Sequence, residues 1–158
     1  MNFNDNITKN FTWNEFFKSY TANRYNINNY TLNETIFTNI KSLTENVLQP
    51  LRNKFGSLKI LSGYRCEKLN KIVSGSPYSN HMLGEAVDIE PYNDISLIDI
   101  ITYINKQLPY RELIGEFLPD GWVHVAYRKN GNDKILKLKD VNHNYNQVTL
   151  KYIQELYG

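Results

Sequence analysis

Two short segments, far apart in the chain, hold the residues that most constrain its fold. Residues 79–90 contain His81 and Asp88, and residues 121–125 contain His124. The chain has 3 histidines, so most of its imidazoles fall in these segments. Two imidazoles and one carboxylate are a ligand set that a catalytic zinc ion takes, with a fourth position open for water. A fold that brings the two segments together would therefore create a metal site.

The residues between His81 and Asp88 predict how the first segment folds. On a helix this spacing would place both side chains on one face, but Gly84 and the β-branched residues that follow it disfavour a helix. We instead expect His81 at the end of a loop, Gly84 in a turn and Asp88 on a strand over residues 86–90. His124, from a later hairpin, can then supply the third corner.

These residues alone do not decide between a metal site and ordinary structural roles. A single histidine is more often a hydrogen-bonded or exposed side chain than a ligand. Asp88 also suits an exposed strand carboxylate, although Asp is a poor strand residue. His143 stands among asparagines and is interpreted as a solvated loop residue. Both interpretations stay open at this point.

Length and composition predict an ordinary globular protein. The 158 residues suit a single domain over residues 11–158, preceded by a frayed polar N-terminus over residues 1–10. A net charge of +2, with acids and bases interspersed, argues against a nucleic-acid binder. Cys66 is the only cysteine, which excludes an intrachain disulfide and a cysteine-rich zinc knuckle.

The chain shows no targeting or membrane segment. Residues 1–6 have neither the basic start nor the apolar run of a secretory signal. No apolar stretch is long enough to span a bilayer. We therefore expect a monomer that is cytoplasmic as synthesised and does not insert into a membrane.

Capping patterns place the helices in the first third of the chain. Thr12 with Glu15 and Thr31 with Glu34 are capping boxes, which predict the starts of two helices. The second helix carries an apolar stripe that continues to residue 55. A proline inside this stripe predicts a kink near Val47.

The rest of the chain alternates in the manner of strands, with one helix inserted. Strands are predicted at residues 58–64, 86–90, 113–117, 122–128 and 134–138. Asn93 or Asp94 caps the inserted helix, and Asn130-Gly131 predicts a hairpin between the last two strands. Residues 146–157 are a candidate final helix. The fold class is therefore α+β, with N-terminal helices packed on an antiparallel sheet.

Three motifs occur in a particular order. They are Ser62-Gly63-Tyr64-Arg65 with Asn70, then Ser79-x-His81-x-x-Gly84-x-Ala86-x-Asp88, then Glu116 ahead of Gly121-Trp122-Val123-His124-Val125. Together they resemble the zinc D-alanyl-D-alanine carboxypeptidase family. That family includes L-alanyl-D-glutamate endopeptidases of phage lysis systems and D-Ala-D-Ala dipeptidases of vancomycin resistance. The similarity is greatest to its small bacterial and phage branch and extends from about Phe11 to Tyr127.

The resemblance implies a fold and a set of site residues. The fold is the α+β one shared with the hedgehog signalling domain, and one zinc ion per chain is bound by His81, Asp88 and His124. Arg65 would meet the carboxylate or carbonyl of the substrate, which suits a forked, always charged guanidinium. A surface salt bridge is the alternative for Arg65. Ser79 would hydrogen-bond the substrate, or else cap a loop.

The catalytic base departs from the commonest family pattern. Many relatives carry an acid three residues before the last histidine, where this chain has Gly121. In the branch that it resembles, a glutamate ends the preceding strand, which is Glu116 here. A five-residue loop would place Glu116 opposite Trp122, on the face of His124, whereas a four-residue loop would turn it away. Asp120 is the second candidate for the base, or a plain turn residue.

Three further residues have two interpretations each. Cys66 is a candidate fourth metal ligand, or a thiol without a role. Tyr64 and Trp122 are candidates for the cleft walls, although aromatic residues on strands are more often core.

The resemblance implies a zinc-dependent peptidase that acts on peptidoglycan stem peptides or D-Ala-containing muropeptides. Such an enzyme would be endolysin-like or carboxypeptidase-like, and a lysis partner would help it to reach the cell wall. One alternative is a non-catalytic cell-wall-binding module with a structural zinc, and another is a phage tail-associated domain. A fourth protein ligand such as Cys66 would favour the binding module, and an open position would favour the enzyme.

Overall fold

The strands are short and most of them join one sheet. The computed structural model describes residues 2–158. Over these residues the strands are β1 (Asn6–Thr8), β2 (Phe11–Thr12), β3 (Leu58–Ser62), β4 (Ala86–Pro91), β5 (Glu112–Glu116), β6 (Trp122–Ala126), β7 (Ile135–Lys139) and β8 (Tyr145–Gln147). β1 pairs with β2, and the other six form a sheet in the order β3-β4-β6-β5-β7-β8.

Helices precede this sheet, interrupt it and follow it. They are α1 (Trp13–Phe17), α2 (Tyr20–Arg24), α3 (Glu34–Leu43), a π-helical turn (Thr44–Leu48), α4 (Gln49–Phe55), α5 (Glu67–Ile72), a 3₁₀ turn (Asn80–Leu83), α6 (Leu97–Gln107) and α7 (Leu150–Tyr157). The predicted α+β class, with N-terminal helices and an inserted helix, is confirmed. No helix of the described residues has the length and apolar run that crossing a bilayer requires.

Strand β7 differs from the prediction. Neighbouring strands of the large sheet are antiparallel except β5 and β7, which are parallel. The hairpin predicted at Asn130-Gly131 is therefore wrong. The reason is that β4 and β5 already pair with the two edges of β6, which leaves no edge for the next strand. The chain instead crosses to the free edge of β5.

The two faces of the sheet have different roles. Val87 and Ile89 of β4 and Val123 of β6 are fully buried, and helices α3, α4 and α6 contribute apolar side chains to the same core. Because side chains alternate along a strand, Asp88 and His124 point to the opposite face. The core thus fixes the strands, and the other face is left for polar side chains.

The long N-terminal helix begins and bends differently from the prediction. Its N-cap is Asn33 rather than Thr31, because the Asn33 side chain accepts hydrogen bonds from two backbone N–H groups of the first turn. At the kink predicted near Val47, the structure has the π-helical turn Thr44–Leu48. Pro50 lies directly after this turn, inside the same continuous helix, and it cannot donate a backbone hydrogen bond there.

Two other local predictions are corrected. Ser96, not Asn93 or Asp94, caps α6, since its hydroxyl accepts a hydrogen bond from the backbone N–H of Ile98 at 3.1 Å. The N-terminal segment is not frayed over its described part, because β1 pairs with β2 and the ring of Phe3 packs against aromatic side chains of the core. Met1 lies outside the described residues.

Candidate metal and active site

His81 is placed by a single 3₁₀ turn, Asn80–Leu83. Ser79 caps this turn, with its hydroxyl oxygen accepting a hydrogen bond from the backbone N–H of His81 at 3.3 Å. Gly84 ends it with a left-handed φ of 69°, and a Cβ atom there would lie 2.9 Å from the carbonyl oxygen of Ile36. The serine and the glycine of the motif therefore frame the histidine, as the loop-and-turn prediction requires.

A backbone carbonyl fixes the orientation of the His81 ring. Nδ1 of His81 lies 2.7 Å from the carbonyl oxygen of Gly63. A carbonyl only accepts, so Nδ1 carries the proton and Nε2 keeps a free lone pair. Gly63 itself sits against α1, where a Cβ would lie 2.6 Å from the carbonyl oxygen of Phe16. The glycine of the Ser-Gly-Tyr-Arg motif thus permits close packing on α1, and its carbonyl oxygen orients His81.

Three possible ligand atoms converge on one point. Asp88 and His124 are direct register partners on β4 and β6. His124 Nδ1 lies 2.9 Å from Asp88 Oδ1 and 3.2 Å from His81 Nε2, and His81 Nε2 lies 3.4 Å from Asp88 Oδ1. These side chains form a group that can hold a metal ion, with one ligand atom of each residue within 4.8 Å of the others.

The separations and the chemistry of this group fit zinc. A tetrahedral zinc ion with bonds of about 2.0–2.2 Å holds its ligand atoms about 3.3–3.6 Å apart. The three observed separations, 2.9, 3.2 and 3.4 Å, lie close to that range. Two imidazole nitrogens and one carboxylate oxygen also match the ligand preference of a catalytic zinc site.

Burial and mutual charge shift the pKa values of the three groups in different directions. Burial lowers the pKa of His81, which favours its neutral form although Asp88 opposes the shift. Burial would raise the pKa of Asp88, but the two histidines outweigh it and lower that pKa. Burial also acts on His124, yet its hydrogen bond to Asp88 raises the His124 pKa above the ordinary value. Without a metal, the raised pKa of His124 favours its protonated form beside the Asp88 carboxylate, and a metal ion at Nδ1 would take the place of that proton.

A second carboxylate faces the other edge of the His124 ring. Nε2 of His124 lies 3.7 Å from Glu112 Oε1, and Lys137 Nζ lies 2.6 Å from Glu112 Oε2. Nε2 is buried and has no hydrogen-bond partner among the described residues. Because Nδ1 is the atom that faces His81 and Asp88, Glu112 borders the ring on the side away from the group.

Arg65 is held at the mouth of this group by a residue that the sequence patterns did not indicate. Asn29 is buried, donates to the carbonyl oxygen of Tyr64 at 2.9 Å and accepts from the backbone N–H of Cys66 at 2.8 Å. Its amide thus binds the chain on both sides of Arg65. The backbone N–H of Arg65 also donates to the carbonyl oxygen of His81 at 3.2 Å. The only signal for Asn29 was its place in an asparagine-rich turn, which is common in loops.

The Arg65 side chain is available for a substrate. Within the described part of the chain, its Nε is buried without a hydrogen-bond partner. Burial lowers the pKa of Arg65, while the charges of Asp88 and Glu116 act in the opposite direction. A surface salt bridge, the alternative considered for this residue, is not among the ion pairs of the described residues. A buried N–H group without a partner is costly unless a ligand satisfies it.

Glu116 lies on the same face as His124. The register pairs Glu116 with Trp122, so the loop has five residues, and its four-residue alternative is excluded. Glu116 is 7% exposed and its Oε2 lies 3.1 Å from Lys139 Nζ. A Cβ atom at Gly121 would lie 1.8 Å from the carbonyl oxygen of Glu116. This turn therefore leaves no room for the acid that many relatives carry at that position.

The remaining candidates divide between the cleft and the rest of the surface. Tyr64 and Trp122 line the cleft, together with Ser79. Asp120 is exposed in the turn after β5 and does not line the cleft. Cys66 packs against a small apolar cluster of Ala22, Ile27 and Leu69, and it is not part of the group that can hold a metal. His143 is exposed in a loop, as predicted.

The cleft above the group has a volume of about 790 Å³ and includes Arg65 and Glu116 in its lining. Its far wall comes from the last two strands, through Lys137, Lys139 and Tyr145. The motifs in the sequence do not include these residues. The sequence does contain a pattern that indicates them, since the alternation Leu136-Lys137-Leu138-Lys139 places both lysines on one face of a strand.

Comparison with known proteins agrees with this geometry. A model of the peptidase M15 family matches residues 9–126, about three quarters of the chain, and this range includes His81, Asp88 and His124. No curated protein matches the chain. The matched range runs from just before β2 to the end of β6, so it contains the strands that carry the metal-binding group and the Gly63 carbonyl that orients His81. The chain therefore belongs to the peptidase M15 family, whose members are zinc-dependent metallopeptidases.

Proposed function

We propose that this protein hydrolyses a peptide bond in peptidoglycan stem peptides or D-Ala-containing muropeptides. The observation that carries the proposal is the convergence of His81 Nε2, Asp88 Oδ1 and His124 Nδ1, at most 3.4 Å apart, beside a cleft that Arg65 and Glu116 line. A zinc ion held by these atoms would polarise the scissile carbonyl and make water a stronger nucleophile at neutral pH. The three motifs that resemble peptidoglycan peptidases point to the substrate class.

The protein's own residues supply the proton transfer. Glu116 is a carboxylate on the His124 face of the sheet and lines the cleft. In our proposal it accepts a proton from the attacking water and returns it to the leaving amine. A buried base shielded from bulk water suits this task, because the proton is then passed between positioned groups. Asp120 is exposed outside the cleft, which makes it the weaker candidate.

Arg65 and Ser79 hold the substrate in this proposal. The unpaired Nε of Arg65 and its charge suit a substrate carboxylate or carbonyl. The oxygen of Ser79 accepts from the backbone N–H of His81, so its own hydrogen is free to be donated to a substrate oxygen. The loop-cap role of Ser79 is observed, and its substrate contact stays a prediction.

The cell-wall-binding module is the alternative that the structure disfavours. A structural zinc is closed by four protein ligands. Cys66, the fourth ligand considered, packs into an apolar cluster instead of joining the group of three. A group of three leaves room for water and substrate, as a hydrolytic site requires.

The test of the proposed function is digestion of purified peptidoglycan. Wild-type protein should release fragments with new amino and carboxyl termini, which mass spectrometry identifies along with the bond that is cut. A chelator should stop the release. Protein that binds peptidoglycan in a pull-down and releases no new termini would contradict the proposal and support the binding module.

The Arg65→Lys variant tests substrate anchoring. Lysine keeps the charge but lacks the planar fork, so one charge-assisted hydrogen bond should be lost. Such a bond is worth about 1.5–3 kcal/mol, which corresponds to roughly a 10- to 100-fold or greater loss of kcat/KM. The measurement is turnover of soluble stem peptides with and without a free carboxylate, together with zinc content, which should not change.

The matched control is Arg24→Lys, because Arg24 is exposed at the end of α2 and does not line the cleft. This variant should cleave both peptides as fast as wild type. If Arg65→Lys also cleaves both at the wild-type rate, the anchoring role is wrong.

A further inference from the structure

Strands β7 and β8 lie beyond residue 126, where the family match ends. They nevertheless extend the sheet that carries the site. The register aligns Glu116 of β5 with Lys139 of β7, and Lys139 with Tyr145 of β8. These side chains therefore form one row across three strands, on the face that holds His124.

The side chain of Lys139 is fixed from several sides. Its Nζ lies 3.1 Å from Glu116 Oε2, 5.2 Å from the centre of the Phe117 ring and 5.0 Å from the centre of the Tyr145 ring. Rings at these distances attract an ammonium group. The lysine is thus held between two aromatic rings while it contacts the carboxylate.

Burial distinguishes this ion pair from others in the sheet. The side chains of Lys139 and Glu116 are 16% and 9% exposed, whereas those of the cross-strand pair Lys59 and Glu90 are 50% and 34% exposed. Burial acts to lower the pKa of Lys139, but hydrogen bonds with Tyr145 and Glu116 raise it above the ordinary value, so the lysine stays charged. A shielded pair of this kind fixes geometry more firmly than an exposed one.

We infer that Lys139 is a positioning residue for Glu116, supplied by the part of the chain beyond the family match. This inference rests on the proposed function, in which Glu116 is the base. The lysine binds Oε2 and leaves Oε1 to accept a proton from water. Without Lys139, the carboxylate loses its ion-pair partner and with it the constraint on its rotation. Misplacing a reacting group by about 1 Å can cost up to 100-fold in rate.

Kinetics of Lys139 variants test the inference. Lys139→Met should lower kcat by about 10- to 100-fold with little change in KM. The conservative variant Lys139→Arg should keep most of the wild-type kcat. Zinc content should equal that of wild type. The control is Lys59→Met, which removes a cross-strand lysine of the same sheet outside the cleft and should keep the wild-type kcat.

Two results would overturn the inference while the proposed function stands. One is an unchanged kcat in Lys139→Met, and the other is a loss that falls entirely on KM, which would make Lys139 a substrate-binding residue. Wild-type protein that releases no new termini would reject the proposed function, and the inference with it. Digestion by the wild-type protein therefore distinguishes failure of the proposed function from failure of the inference about Lys139.

A double-mutant cycle tests whether Lys139 acts through Glu116. In the Glu116→Gln background, Lys139→Met should cause no further drop in kcat. An equal drop in both backgrounds would contradict the positioning role.

If Lys139→Met does not fold, as its melting curve would show, the variant Tyr145→Leu tests the inference instead. Tyr145 is 53% exposed, so the fold tolerates its loss, and removing one ring should lower kcat by about 2- to 5-fold. An unchanged kcat in that variant would then overturn the inference.

Discussion

Glu116→Gln should keep its zinc and its fold but lose about 100-fold or more in kcat. Glutamine has almost the same shape as glutamate, so the row across β5, β7 and β8 is preserved. It cannot accept a proton as a carboxylate does, and this is the step that the variant removes. The measurement is turnover of a stem peptide, together with zinc content and a thermal melting curve.

Asp120→Asn is the matched control for Glu116→Gln, since it makes the same chemical change a few residues away. Asp120 is exposed in the turn and lies outside the cleft, so turnover should stay near the wild-type value. Should Asp120→Asn lose turnover while Glu116→Gln retains it, the base is Asp120 and our assignment is wrong.

His81→Ala should lose both the bound zinc and all measurable turnover. His81 is 1% exposed, and its Nε2 is one of the three converging ligand atoms. Alanine leaves two ligands, which cannot hold a catalytic zinc ion in competition with a chelator. Elemental analysis of the purified variant measures the zinc content per chain.

The matched control is His143→Ala, which removes the remaining histidine. His143 is exposed in the loop after β7, where its ring contacts Phe117, and it is not part of the group of three. This variant should retain stoichiometric zinc and clearly measurable turnover, since it removes no ligand. A His81→Ala protein that still held one zinc per chain would show that the metal has other ligands.

Capping patterns and side-chain alternation predicted features that depend on one or two neighbouring elements, either fully or as a choice between two alternatives. The capping box of Thr12 and Glu15 begins a helix as predicted, with the backbone N–H of Thr12 donating to Glu15 at 2.7 Å. Alternation of side chains reduces the orientation of Glu116 to two alternatives, which differ by one residue in the length of a loop, and the register shows that the five-residue loop is the one present. These features follow from neighbours in the chain, which a sequence displays directly.

Long-range pairing explains what was missed. The parallel pairing of β7 with β5 depends on which edges of the sheet are already occupied, and no local pattern records that. The contact of Lys139 with Glu116 depends in turn on this pairing. Asn29 is a similar case, because its partners lie 12, 35 and 37 residues away in the chain. Its role appears only once α1 and the loop after β3 are adjacent.

The most direct measurement is zinc titration of metal-free protein during peptidoglycan digestion. Protein stripped with a chelator should release no new termini, and release should return in proportion to added zinc until one equivalent per chain is bound. His81→Ala should not respond to zinc, whereas His143→Ala should regain clearly measurable release at one equivalent. Full release of new termini by metal-free protein, or recovery of His81→Ala at one equivalent, would contradict a zinc peptidase built on His81, Asp88 and His124.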